Sequence, residues 1–401
     1  MSVTIPATHG KLRSIVLLII AEIAAMSLWF VSAAILGDMS REANLSPGVQ
    51  AAMSAAVQFG FVIGALASAV TGISDRFQPK YVLALFALLA ALSNAMLLVA
   101  TPGSTTAILL RGATGAFLAG VYPVGMKIAV GWGQKDRGLL VGLLVGGLTL
   151  GSAAPYLLAF LGGNDWRITV ACASALACFA AFIILLTENG PYHTNESKFD
   201  ARALSVIWTN PSIRRAYGGY LGHMWELYTM WAWIAVALTI SFAHQMPETE
   251  AQQLAKLVTF MVIALGAISC PMAGWIADRI GKAELTIIAM AVSGLSAITF
   301  AITFGGNVWL TIVVAVVWGI FIIPDSAQFS VLVADHSPSE QAGSLMTLQT
   351  ALGFALTTIT VQLAPVIANK TGWPLLMATL ALGPMFGIWS MWKLQRKYSG
   401  G

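Results

Sequence analysis

Twelve stretches of about 20 apolar residues, the length that carries a helix across a hydrocarbon layer, constrain this chain more than any other feature. They fall at roughly 14–37, 50–72, 81–101, 105–132, 138–162, 166–187, 216–243, 257–277, 284–304, 308–333, 343–368 and 373–393. Turn-forming sequences separate them, among them Ser46-Pro47-Gly48, Thr101-Pro102-Gly103 and Gly305-Gly306-Asn307. A membrane barrel would instead show alternating segments of about ten residues, and none occur. Of the 401 residues, 58% are hydrophobic and only 9% are charged, against about 25% charged in a soluble domain. A soluble fold has too little interior to hide that much apolar surface. Soluble enzymes, nucleic-acid-binding modules and disordered chains are therefore excluded, and the expected fold is an all-α polytopic membrane protein. Its expected partners are the bilayer and a small-molecule substrate.

Lys and Arg give the expected topology. With the N-terminus inside, fifteen of them fall in inner loops and helix ends, and only Arg41, Arg167, Lys256 and Lys370 fall outside. That asymmetry predicts both termini in the cytoplasm and residence in the inner (plasma) membrane. Val31-Ser32-Ala33 resembles a signal-peptidase site, but the first apolar stretch is too long for a signal peptide and carries Glu22, so it is read as a mature helix. Cys172, Cys178 and Cys270 show no ligand spacing and read as small packing residues.

The chain is written twice. Glu22, Met26 and Trp29 correspond to Glu226, Met230 and Trp233; Asp75-Arg76 to Asp278-Arg279; Pro123 to Pro324; Leu150-Gly151 to Leu352-Gly353; Trp166 to Trp373. The longest polar interruption lies between the copies. The expected organisation is a six-helix bundle over 1–187, a cytoplasmic linker over 188–213 and a second bundle over 214–401, two pseudosymmetric parallel repeats as in many transporters. Gly274-Trp275-Ile276-Ala277-Asp278-Arg279-Ile280-Gly281-Lys282 resembles the loop signature of the major facilitator superfamily. The copy around Gly72, Asp75, Arg76 and Lys80 is a degenerate version, and Arg111-Gly112-Ala113-Thr114-Gly115 is similar to the family's Arg-x-x-x-Gly motif. The resemblance implies twelve helices, alternating access and a cavity lined by spans one, four, seven and ten. It also implies a cytoplasmic gate of charge networks at Asp75, Arg76, Asp278, Arg279 and Lys282. The positive-inside alternative explains their Arg and Lys but not their Asp.

Ionisable groups in mid-membrane cost about 2.5–3.5 kcal/mol each, and Glu22, Arg111, Lys127, Glu226 and Asp325 all lie on those same four spans. At about 1.5 Å per residue, Glu22, His223, Glu226 and Asp325 sit near one level. Lys127 lies nearer the inner face and Arg111 nearer the outer. Lys127 is the expected partner of Asp325, and Arg111 is expected in an outer vestibule. Glu22, Met26 and Trp29 share a helical face at i, i+4 and i+7, as do their seventh-span counterparts. Two carboxyl groups facing one chamber suit proton carriage, with His223 tuning or sharing the proton of Glu226. A buried hydrogen bond from His223 and Glu226 to a neighbouring helix is the plainer alternative. One imidazole among oxygen ligands is weak grounds for a metal. Trp29, Tyr122, Tyr228 and Trp233 are the candidate walls of a substrate site, and Gln328, one turn from Asp325 and matching Lys127 in the repeat, is its candidate polar contact. Gly142, Gly146, Gly147 and Gly151 read as one close-packing face of span five.

The expected function is secondary active transport of a small polar or anionic solute, proton-coupled, by a monomer. The alternative is efflux of amphipathic or cationic compounds, favoured by three buried acids against two bases. A non-transporting assembly factor or sensor is a further class. No nucleophile–base pair, metal cluster or phosphate loop points to an enzyme or calls for a cofactor.

Overall fold

The computed structural model describes residues 8–133, 136–163, 165–192, 203–338 and 341–399. Among them the secondary structure is helical throughout, without a strand. The first half consists of α1 (Thr8–Met26), α2 (Val31–Ala43), α3 (Pro47–Thr71), α4 (Ile73–Arg76), α5 (Pro79–Ala95), α6 (Thr105–Leu118), α7 (Tyr122–Trp132), α8 (Arg137–Leu161) and α9 (Trp166–Ile183). A short α10 (Ala203–Thr209) leads into α11 (Pro211–Phe242), α12 (Glu248–Ile280), α13 (Lys282–Thr303), α14 (Val308–Phe321), α15 (Ser326–His336), α16 (Ala342–Thr371), α17 (Trp373–Thr379) and α18 (Leu382–Ser399). Most of the expected linker, 193–202, lies outside the described residues.

Eleven of the expected spans are long and apolar enough to cross a membrane. The twelfth, α11, has the length at 32 residues but carries Arg214, Arg215, His223 and Glu226. An even number of spans places the two ends of the chain on one face, here termed the terminal face. The helix starts are encoded locally. Ser46, Ser104, Asn210 and Asn307 each accept a bond from a backbone N–H of the first turn, closing donors that the helix itself leaves open. Gly281 holds φ +101° between α12 and α13, a conformation that favours glycine at this position of the loop signature.

Four spans are broken, the twelfth at Leu380–Ala381, ahead of Pro384. The fourth divides at Ala119–Val121, ahead of Pro123, and the tenth at Ile322–Asp325, around Pro324. Proline supplies no N–H and cannot continue a helix inward from these points. The first span divides at Ser27–Phe30 with no proline at all. There Leu28 and Trp29 donate to carbonyls three residues back, and Ser27 Oγ competes for the carbonyl of Ala24. Its repeat partner α11 runs on unbroken, so the pseudosymmetry of sequence is not a symmetry of helix geometry.

The halves meet along α8 against α12 and along α3 against α16, with lesser contacts of α2 on α11 and α15 on α8. The glycines of α8 serve two neighbours rather than the single face expected. A Cβ at Gly142 or Gly146 would press on α12, 3.2 Å from Pro271 Cα or 2.9 Å from the Ala267 carbonyl oxygen. One at Gly151 would strike α1, at the Ile23 carbonyl and Met26. Small residues thus let α8 lie close to its own half on one side and to the other half on the next.

Candidate functional site

Glu22 on α1 is fully buried, and neither of its carboxyl oxygens has a hydrogen-bond partner among the described residues. The backbone of α7 comes right up to it, since a Cβ on Gly125 would lie 2.9 Å from Glu22 Oε2, and Gly147 of α8 closes another side. Tyr122, at the start of α7, lies within electrostatic reach of Glu22 and, across the seam between the halves, of Tyr220 and Cys270. A lone buried carboxyl is costly to keep.

Arg111 does not stand in an outer vestibule. It is fully buried on α6, and its Nη2 donates to the carbonyl oxygens of Leu28 (2.8 Å) and Trp29 (2.9 Å), the groups freed by the break in the first span. Its Nη1 donates to Asn94 Oδ1 at 2.6 Å, and Asn94 in turn donates to Ser174 Oγ on α9. The guanidinium is the cap of a broken helix, as intramembrane breaks require, so its expected role toward a solute is withdrawn.

In the second half, Glu226 Oε2 accepts from Ser293 Oγ (2.9 Å) and its Oε1 from Trp318 Nε1 (2.8 Å), tying α11 to α13 and α14. Asp325, placed at the break of the tenth span, has its Oδ1 3.0 Å from His223 Nδ1, both side chains being buried. The side chain facing Asp325 is thus His223 rather than the expected Lys127, because the break turns Asp325 toward α11 of its own half. His223 meets Asp325 rather than Glu226, although Asp325 is near enough to Glu226 for their charges to interact. Phe329 packs on the imidazole at 5.7 Å between ring centres, and Gln328 is buried one turn beyond Asp325. Lys127 is buried on α7 and is itself engaged. A Trp318→Phe protein is expected to lose about 1–3 kcal/mol of stability, since it leaves a buried carboxyl oxygen without its donor. Thermal unfolding in detergent measures this; an unchanged midpoint would show that the indole does not hold Glu226.

The two tryptophans paired by the repeat part company. Trp233 Nε1 donates to the Val361 carbonyl (3.0 Å) and its ring lies 5.9 Å from that of Trp373; it packs inside the second half and is no substrate wall. Trp29, thrown off the Glu22 face by the helix break, joins a cluster drawn from both halves. Its ring centre is 4.9 Å from Phe61, 5.4 Å from Phe354 and 5.8 Å from Tyr228. Phe30 and Trp231 extend the cluster, each under 6 Å from Tyr228. Tyr156 Oη of α8 donates to the Trp231 carbonyl at 2.5 Å across the same seam. The indole nitrogens of Trp29 and Trp231 are buried without a partner among the described residues. Phe61 and Phe354 carry no sign in the sequence that separates them from lipid-facing phenylalanines.

At the terminal face, Lys282 donates to Asp335 at 2.5 Å, joining α13 to α15, while Arg279 stacks on Trp275 of its own helix at 3.4 Å. Asp278 and Lys282 border a recess of about 450 Å³ with His336 and Gln395. Arg76 is exposed, and the side chain of Asp75 lies outside what the structure describes.

Two six-helix halves with broken spans around a shared seam define a polytopic helical membrane fold. The chain belongs to the Major Facilitator Superfamily, whose family model matches residues 17–356. The fold is similar to a point mutant of the nucleoside transporter NupG, with a TM-score of 0.71 at 13% identity over 95% of this chain and 99% of that one. It is similar also to a bacterial homologue of the human lysosomal transporter Spinster in an inward-facing and occupied conformation, with a TM-score of 0.74 at 13% identity, covering 97% and 98%. No curated protein sequence matches the chain.

Proposed function

We propose that the protein is a secondary active transporter that works by alternating access and exchanges a proton at Glu22 as its halves rock. The carrying observation is the buried, unpartnered Glu22 carboxyl at the junction of α1, α7 and α8. Ionised, it would be an uncompensated charge in a closed seam, costing several kcal/mol. The closed form therefore holds it as the neutral acid, and opening to water on either side lets the proton go. Glu226, Asp325 and His223 form a second polar centre within one half, its Glu226 carboxyl held by Ser293 and Trp318, suited to sensing solute rather than releasing a proton unaided. The terminal face is assigned to the cytoplasm on the Lys and Arg asymmetry.

The solute class follows from what lines the seam. Trp29, Phe61, Tyr228 and Phe354 offer aromatic walls from both halves, and sites of this kind take flat or amphipathic organic molecules. With Arg111 committed to a helix break, acidic groups outweigh basic ones, which favours neutral aromatic or cationic solutes. A small polar or anionic solute held by Lys127 and Gln328 is the second reading, supported by their burial on spans four and ten. Proteoliposomes carrying a pH-sensitive dye, challenged in turn with lipophilic cations, neutral aromatic solutes and small anions, test both. Proton flux driven by the first two groups is expected; flux driven by anions alone would install the second reading, and none with any solute would sink proton coupling.

A further inference from the structure

On the face opposite the termini the halves are joined by buried charge. Asp38, on α2 of the first half, is 5% exposed, and Lys256 and Gln252, on α12 of the second, are 3% and 8% exposed. Lys256 Nζ lies 2.8 Å from Asp38 Oδ2, and Gln252 Nε2 donates to Oδ1 at 3.0 Å. Lys256 also donates to the carbonyl oxygens of Gly163 (2.8 Å) and Ala159 (3.3 Å) at the end of α8. Gly37 admits this approach, since a Cβ there would lie 2.6 Å from Gln252 Nε2. One more cation reaches the same carboxylate. Arg41, one turn along α2, places Nη2 2.5 Å from Asp38 Oδ1, and its side chain is 42% exposed.

We infer that Asp38 is the latch of this face, shared between Lys256 across the seam and Arg41 on its own helix, and that competition between the two cations sets how readily the face opens. Separating the halves must strip Lys256 and Gln252 from Asp38. A buried carboxylate parted from its only cation would resist strongly. Arg41 moves with Asp38, stays paired after separation and already touches solvent, so it lowers the cost of the open state. The two basic residues therefore act with opposite sign on one equilibrium: Lys256 favours the closed face and Arg41 the open one. A simple anchoring role for both would give them the same sign. The inference rests on the alternating-access reading only in that this face must open.

A reporter cysteine replacing Ala159 (A159C), in a background with Cys172, Cys178 and Cys270 changed to serine, reads the opening. Membrane-impermeant maleimide is applied from each side of sealed vesicles, without solute or pH gradient. Lys256→Gln is expected to speed labelling about tenfold and Arg41→Gln to slow it about threefold relative to the parent, shifts of the size a lost charge partner produces. Gln252→Ala, a milder change in the same direction as Lys256→Gln, serves if the latter fails to fold. Equal rates in all proteins, zero included, or shifts of the same sign for Arg41 and the α12 variants, overturn the latch. The transport reading stands or falls separately, on proton flux.

Discussion

An Arg111→Ala protein is expected to lose about 3–5 kcal/mol of stability and to be recovered in low yield from the membrane. The change removes three charge-assisted hydrogen bonds at once, to Leu28, Trp29 and Asn94, each contributing about 1.5–3 kcal/mol where a charged donor is involved. It also leaves two freed backbone carbonyls in a dry interior, where no water replaces the lost donor. Those carbonyls belong to the break that sends Trp29 toward Phe61 and Phe354, so the aromatic cluster should loosen with the helix. Arg111→Lys keeps the charge but not the planar fork, and one ammonium cannot span α5 and both carbonyls with the same geometry; it should recover less than half of the loss. The measurement is thermal unfolding of detergent-purified protein, followed by tryptophan fluorescence. An alanine variant as stable as the parent would show that the break is held by something else and would return Arg111 to the list of solute ligands.

Glu22→Gln is expected to abolish solute-driven proton movement, reducing the dye signal to that of empty vesicles, while leaving solute exchange at equal pH in place. Glutamine has nearly the shape of the neutral acid that the closed seam accepts, and the parent carboxyl makes no hydrogen bond among the described residues for the amide to lose. Stability should therefore stay within about 1 kcal/mol of the parent. The pair of readouts separates carrying a proton from merely filling space, because a packing defect would lower exchange as well as coupling. A variant that still couples solute to protons as the parent does would remove Glu22 from the mechanism and direct attention to the Glu226, Asp325 and His223 centre. The protein without its Glu226 donors makes the contrast: Trp318→Phe should cost stability, whereas Glu22→Gln should cost function.

Much of the arrangement was legible in the residues. The apolar windows gave the spans, because the thickness of a hydrocarbon layer imposes a length that no local packing choice alters. The paired motifs gave the two halves and the family. The charges on spans one, four, seven and ten marked helices that turn charged side chains inward, since an intramembrane charge cannot face lipid cheaply, whereas the main contacts between the halves are made by spans two, five, eight and eleven. What each charge does was another matter. Arg111 and Glu22 looked alike as buried ionisable groups, yet Arg111 makes three hydrogen bonds through its Nη atoms and the Glu22 carboxyl makes none among the described residues. That difference lies in the neighbours brought by α5, α7 and α9, which sequence spacing does not encode.

The Trp29 and Trp233 comparison shows the same limit at the level of a helix. Their spacing from Glu22 and Glu226 is identical, and a continuous helix would put them on equivalent faces. Ser27–Phe30 contains neither proline nor glycine, and the Ser27 hydroxyl bond to Ala24 is common inside helices, so the sequence does not announce the break; Arg111 satisfies the carbonyls it frees. Asp38 and Lys256 were separated by more than two hundred residues and read only as an unremarked acid and an outer-loop cation.

The amino-acid order alone determined how many helices cross the membrane, that they form two related sets, and which of them carry charge, because these depend on length, hydropathy and repetition along one dimension. The tertiary structure decided which charges are satisfied, where the first span breaks and which residues join the halves. Those outcomes depend on pairs of groups from distant helices meeting within about 3 Å, and burial gives such a meeting its energy only once both have left water.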